Sequence, residues 1–297
     1  MRPYRTVISV PGHKPSWYDK AVAAGADCLC LDLEDSVPLA EKEAARAAVR
    51  DGIERISREH PRVGLFVRPN ALDTGETGAD LEAVITPGIT GVFAPKVGSP
   101  IDVHKYDALV DYFERRSGAA DLEYILPIET IQGIQNCEQI AMASPRAGAL
   151  IGPTAEHADI ARAVGYEWTP EGNESRYHRT RILLAARAAG LHPLTALWEK
   201  IRDLVGLETF SDDSRRMGFR GQIVLHPDHV PVVNRVYTPG PSDVEFYRGL
   251  LTAYHEAEAA GLGATMYQDI HIDKAHADKA TEWLARLNEL ADLSGGI

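Results

Sequence analysis

The chain is short of cysteine, of basic charge and of long apolar runs, and each shortage closes a class of function. Three cysteines, Cys28, Cys30 and Cys137, in 297 residues are too few for a disulfide framework. They are expected as buried small hydrophobes rather than as metal or redox groups, with Cys28 and Cys30 read as facing opposite sides of one strand. Lys and Arg number 31 against 43 Asp and Glu, a net charge of −12. Sequence-independent binding to nucleic acid needs a cationic surface that displaces counterions from phosphates, so nucleic acid is not an expected partner. No apolar run approaches the roughly 20 residues of a membrane span. The opening MRPYRTVISVPG has no hydrophobic signal segment, so the expectation is a cytoplasmic protein without a membrane partner. The eleven histidines show no HExxH or HxxxH spacing, which argues against zinc. A strand followed by GxGxxG is missing too, as is a Walker loop.

What the chain has is an alternation of short apolar runs and Ala-rich segments. Hydrophobic residues make up 44% and charged residues 25%, ordinary values for a folded domain. Runs at 5–10, 27–33, 63–69, 90–96, 123–129, 147–153, 192–198 and 221–227 read as strands, and 15–24, 40–58, 79–85, 102–116, 133–144 and 174–189 as helices. The runs are apolar nearly throughout, as in parallel strands buried on both faces. Eight such units predict a (β/α)8 TIM barrel over residues 1–236, with an open doubly wound sheet as the alternative. A Pro/Gly-rich break at Tyr237–Ser242 leads to a C-terminal helical extension, 237–297, with helices over 242–260 and 274–293 and a short stretch 264–273 between them. The extension is too small for a core of its own and is expected to pack on the barrel or on a neighbouring subunit.

In such a barrel the chemistry sits at the C-terminal ends of the strands. That rule selects Glu34 and Asp35, Arg68 with Asn70, Lys96, Glu129, the loop residues Glu156, His157 and Asp159, and His226. Glu129 and Asp159 are suited to share one hard cation; Mg2+ takes few protein carboxylates and fills its octahedron with water and substrate oxygens. Arg68 offers a planar fork to a substrate carboxylate. Glu34 and Asp35 divide between supporting the site and capping the following helix, and His226 reads as a structural histidine at a strand end.

The segments YRTVISVPGHKP, CLCLDLEDSVPLAEKEAAR, VRPNALDTG, APKVGSP, ILPIETIQGIQNCEQIA, GALIGP and GFRGQIVLHPDHVPVVNRVYTP together resemble the citrate lyase beta-subunit-like group of the HpcH/HpaI aldolase and citrate lyase superfamily. The resemblance covers nearly the whole chain. It implies a (β/α)8 barrel, usually in homotrimers, and Mg2+-dependent lyase chemistry on 3-hydroxy-acyl thioesters of the citryl-, malyl- or citramalyl-CoA kind. By motif it makes Glu129 the first metal ligand and Arg68 the holder of the keto-acid carboxylate. Asp159 is the matched second ligand, with Glu156 as the alternative because the loop after 147–153 is longer than usual. Asp273 matches an acid/base that relatives extend into a neighbouring subunit's mouth.

These readings converge on a carbon–carbon lyase or aldolase that gives a keto acid and an acyl thioester through a metal-stabilised enolate. Lys96, Glu34 and Asp35 join Arg68 as substrate-binding candidates. The alternatives are a (3S)-malyl-CoA-type thioesterase, a pyruvate aldolase on free aldehydes, and a non-catalytic keto-acid sensor. The partners expected are a keto acid, an acyl-CoA thioester and further copies of the chain. For the CoA phosphates the basic candidates are Arg2, Arg5, Lys14 and Lys96.

Overall fold

The eight apolar runs form strands β1 (Thr6–Pro11), β2 (Cys28–Asp32), β3 (Gly64–Arg68), β4 (Gly91–Phe93), β5 (Glu123–Pro127), β6 (Ala147–Gly152), β7 (His192–Thr195) and β8 (Gly221–Val224). In the computed structural model, which describes residues 1–294, they pair in parallel in chain order, and β8 closes on β1 through Thr6–Gln222, Val7–Ile223 and Ile8–Val224. Closure excludes the open sheet and gives the expected barrel.

Nine helices of this unit surround the strands: α1 (Pro15–Ala23), α2 (Lys42–Glu59), α3 (Thr77–Val84), α4 (Pro100–Ser117), α5 (Ile131–Ala141), α6 (Asp159–Val164), α7 (Arg176–Ala188), α8 (Leu204–Met217) and α9 (His229–Tyr237). The eight-unit pattern calls for helices after β7 and β8, where α8 and α9 lie, without giving their ranges; α6 falls in a stretch read as a loop. For α8 the end signals are local: the Asp203 side chain accepts from Gly206 N at its start, and Gly218 takes a left-handed φ of 119° at its end, a cap at each terminus.

Alternation along the strands sorts side chains into two layers. Leu29 and Leu31 of β2 pack with Val49 and Ile53 of α2 in the layer between sheet and helices. Cys28, Cys30 and Asp32 take the other parity and face the barrel interior. All three are buried. The placement of Cys28 and Cys30 on opposite faces is therefore corrected: residues two apart in a strand share a face. All three cysteines are free and buried.

The chain divides into two compact units, Pro3–Tyr237 and a second from Thr238 onward. The second holds α10 (Pro241–Ala259), β9 (Ala264–Tyr267), β10 (Ile270–Asp273) and α11 (Lys274–Ser294). The stretch 264–273 is an antiparallel hairpin. Its turn residues Gln268 and Asp269 have φ of 45° and 63°, the sign that tight hairpin turns require. Leu250, Tyr254, Ile272, Ala277 and Ala280 form a small apolar cluster of its own. Residues 295–297 of the expected extension lie outside the described residues. No helix among the described residues is long and apolar enough to cross a membrane.

Candidate active site

The end of β2 lies in register with the end of β3, Asp32 opposite Arg68. Arg68 donates from Nε to Asp32 Oδ1 and from Nη2 to Oδ2, both at 2.7 Å. This is the bidentate geometry in which a guanidinium and a carboxylate bind most strongly. Asp32, fully buried, also accepts from Glu34 N at 2.9 Å, from Ser36 N at 3.2 Å and from the Ser36 hydroxyl. Burial pushes its pKa up. The adjacent guanidinium and these hydrogen bonds outweigh that and hold it below the usual carboxylate range. Asn70 braces the same corner: its Nδ2 donates to Leu33 O at 3.0 Å and to Asp80 Oδ2 at 2.6 Å.

Two residues beyond the strand, Glu34 is only 4% exposed. It stands 3.3 Å from Arg68 Nη1 and 3.1 Å from Lys96 Nζ. Both contacts are ion pairs, one to each carboxylate oxygen, and neither has the directional geometry of the Arg68–Asp32 pair. Burial raises its pKa, and Arg68 and Lys96 offset only part of the rise. Asp35, exposed, lies 3.7 Å from the same ammonium. The capping role considered for Glu34 and Asp35 is not seen, because a 3-10 turn at Leu39–Glu41 intervenes and Glu41 precedes α2.

Lys96 follows β4 with φ of 54°, a left-handed conformation that costs a non-glycine residue on the order of 1–3 kcal/mol and concentrates at functional sites. That conformation aims its backbone N–H at Glu129, which accepts through Oε1 at 2.8 Å. The side chain runs to Glu34, Asp35 and Asp159, the last at 3.9 Å. One residue thus fixes one carboxylate with its backbone and offsets three others with its ammonium.

Glu129 follows β5, just before Thr130, whose hydroxyl caps α5 by accepting from Gly133 N. Burial pushes the Glu129 carboxyl up to about 7; the Lys96 N–H and Arg68 pull it down, while Glu34 and Asp159 push it further up. Lys96 links Glu129, through its backbone N–H, to Glu34 and Asp159, through its ammonium. Asp159 opens α6, and its Oδ1 accepts from Arg162 Nη2 at 3.0 Å. The Glu156 N–H donates to Glu199 Oε2 at 2.8 Å, and Glu156, His157 and Glu199 are the group of three among the described residues that could hold a metal ion, with ligand atoms within 4.8 Å of one another. Asp159, and not Glu156, is the carboxylate brought to Lys96.

The CoA-phosphate candidates separate. Arg5 precedes β1, at the N-terminal end of the barrel, and grips Asp27 through Nε at 2.9 Å and Nη2 at 2.7 Å; it is corrected to a structural role. Lys14 is exposed in the turn after β1. His226 accepts from Asp228 N through Nδ1 at 3.1 Å, a local turn contact. In the second unit, Asp273 Oδ1 pairs with His276 Nδ1 at 2.7 Å and accepts from Ala275 N at 3.0 Å.

Asp32 is the residue the sequence reading missed. The signal was the alternation itself: Cys28, Cys30 and Asp32 share a parity, as do Gly64, Phe66 and Arg68, and both series point into the barrel. In chemistry the mouth fits a hard divalent ion, which prefers carboxylate oxygens: among the described residues Glu129 and Asp159 each carry one oxygen with no hydrogen bond to another side chain, Oε2 and Oδ2, and Asp32 is already spent on Arg68.

Residues 5–227 match the model of the HpcH/HpaI aldolase/citrate lyase family. A (3S)-malyl-CoA thioesterase of Cereibacter sphaeroides is 32% identical over 289 residues, 97% of this chain and 96% of that protein. The citrate lyase subunit beta of Leuconostoc mesenteroides is 30% identical over 295 residues, covering 98% and 96%. Among solved structures, the CitE protein of Mycobacterium tuberculosis, crystallised with magnesium, acetoacetate and coenzyme A, superposes with a TM-score of 0.76 at 30% identity, covering 96% of this chain and 98% of that one. The chain belongs to the HpcH/HpaI aldolase/citrate lyase family.

Proposed function

We propose that this enzyme is a Mg2+-dependent carbon–carbon lyase acting on a 3-hydroxy-acyl thioester of the citryl-, malyl- or citramalyl-CoA kind, releasing a keto acid and an acyl thioester. The observation that carries the reading is Lys96, whose backbone N–H holds Glu129 and whose ammonium lies 3.1 Å from Glu34 and 3.9 Å from Asp159, with Glu34 also 3.3 Å from Arg68. The magnesium, acetoacetate and coenzyme A held by the CitE protein support it.

Glu129 and Asp159 are the residues that would hold Mg2+. When bound, the ion supplies positive charge against the oxyanion and enolate that form as the bond next to a carbonyl breaks. Arg68 binds the keto-acid carboxylate. Nε and Nη2 are fixed on Asp32, which pre-orients the guanidinium, and its five N–H donors are not exhausted by that pair. Lys96 offers a second cation, on a mobile stem, that can turn to an acidic group of the substrate. Asp273 moves the proton of the 3-hydroxyl, supplied from an adjacent protomer of a homotrimer.

Calorimetry tests the metal seat: Glu129→Gln abolishes Mg2+ binding, and full affinity in that variant refutes the role. Product analysis tests the reaction. A keto acid with an acyl thioester supports cleavage, and a free hydroxy acid with free CoA supports hydrolysis instead. The similarity to a malyl-CoA thioesterase is what favours this second reading, in which water attacks the thioester carbonyl.

A further inference from the structure

Five carboxylates, Asp32, Glu34, Asp35, Glu129 and Asp159, surround two cations at the mouth, Arg68 and Lys96. Arg68 is locked by two hydrogen bonds to buried Asp32. Lys96 is not. Its side chain is 37% exposed, and its contacts with Glu34, Asp35 and Asp159 lengthen from 3.1 to 3.7 to 3.9 Å. An ammonium on a flexible stem, spread over three carboxylates, is a compact positive charge without directional commitment. Its backbone is the opposite: left-handed and pinned to Glu129.

We infer that Lys96 is the resident counter-cation of the acidic seat, and that a divalent ion binds by displacing its ammonium from Asp159 and Glu34. The inference rests on the metal reading above. Two positive groups cannot share carboxylates a few ångströms apart without strong repulsion. The ammonium must therefore leave Asp159 as the ion arrives. The backbone N–H stays on Glu129, so that ligand keeps its orientation while the side chain swings toward solvent or toward an acidic substrate group. A lysine held here as a plain structural ion pair behaves in the opposite way: its removal weakens the seat.

The test uses the full-length protein and Mg2+ alone. Calorimetric titration compares wild type, Lys96→Met and Lys96→Gly; glycine accommodates the left-handed backbone and retains the N–H. Both variants are expected to bind Mg2+ about tenfold more tightly or better, as befits removal of a like charge a few ångströms from a divalent ion. Independently, wild type is pulsed with limiting acetic anhydride, and acetylation of Lys96 is read by peptide mass spectrometry. Labelling is expected to rise several-fold with Mg2+, while that of exposed Lys14 stays constant. This second arm needs no variant to fold. Unchanged or weaker Mg2+ affinity in folded variants overturns the inference, as does Lys96 labelling indifferent to Mg2+. If wild type binds Mg2+ and Glu129→Gln does not, such a result removes the role of Lys96 alone. If wild type itself fails to bind Mg2+, the metal reading falls.

Discussion

Asp32 and Arg68 face each other across the β2–β3 register and close two parallel hydrogen bonds of 2.7 Å. Asp32 is wholly buried, and the Arg68 side chain is 21% exposed. Cutting such a pair leaves a charge without its partner, typically at a cost of about 3–5 kcal/mol. Asp32→Ala is therefore expected to lower stability in urea denaturation by that order, and to raise KM for the acyl thioester because Arg68 turns onto Glu34. Ser36→Ala removes one accessory donor and should cost about 1 kcal/mol. If Asp32→Ala lost less than 1 kcal/mol, Asp32 would not be the anchor of the guanidinium.

Gly12 lies directly after β1, and its N–H donates to Asp32 O at 2.7 Å. A Cβ there would sit 2.7 Å from that same oxygen, 2.9 Å from Val49 Cγ2 and 3.0 Å from Leu33 Cδ2. No flexible side-chain end is available to give way to the backbone contact. Gly12→Ala is expected to cost about 1–3 kcal/mol through overpacking and to depress kcat/KM by displacing the β2 end that carries Asp32. A melting temperature and kcat/KM equal to wild type would show that the β1–β2 corner has room to relax.

Much of the barrel was legible because parallel strands buried on both faces leave continuous apolar runs, such as ALIG in β6 and LFV in β3. Helix α8 was not legible by the same route. LVGLETFSDDSRRM carries few apolar residues, and only the caps at Asp203 and Gly218 mark its limits. The β9–β10 hairpin turns on Gln268-Asp269 rather than on Asn-Gly, so the usual turn signal was missing. At the site, counting outward from the last apolar residue found Glu34, Arg68, Lys96 and Glu129. It passed over Asp32, whose importance follows from face parity and cross-strand register. The surroundings of Asp159 and Glu156 depend on the path of the loop after β6, which no local pattern specifies.

Two histidines should make the barrel sensitive to mild acid. His178, 4% exposed, lies with Nε2 2.9 Å from Pro153 O, and His229, fully buried, with Nε2 2.9 Å from Ile201 O. Burial is the largest influence on each and lowers its pKa. The unfolded chain therefore takes up more protons at these positions as pH falls below about 6.5, and stability is lost in that direction, by up to about 1.4 kcal/mol per pH unit for each histidine. Glu129, pushed up to about 7, has the opposite sign between its ordinary pKa and 7, so the raw profile is a sum. The difference between wild type and the His178→Gln/His229→Gln double variant isolates the histidines. That difference should shrink from pH 7 to pH 5 as wild type loses its advantage, and a difference independent of pH would show that neither ring titrates on unfolding.

Asp273 presents its own pH signature. Its Oδ1 lies 2.7 Å from His276 Nδ1 and also accepts from Ala275 N, and the His276 contact, foremost, lowers its pKa. If Asp273 acts as the proton acceptor, activity falls on the acid side as it protonates, below the ordinary aspartate range. His276→Ala removes the main stabilisation of the carboxylate, so this acid limb of kcat/KM should move to higher pH. His276→Asn, which restores a side-chain donor, should move it back part of the way. The limb in Asp273→Asn should disappear along with most of kcat. The proposed supply from an adjacent protomer has a second signature. Mixing inactive Asp273→Asn with inactive Arg68→Ala, under conditions where subunits are shown to exchange, should restore part of the activity, because some mouths then combine an intact Arg68 with an intact Asp273. An acid limb unmoved by His276→Ala would detach Asp273 from that titration, and exchange without rescue would confine Asp273 to the protomer that carries it.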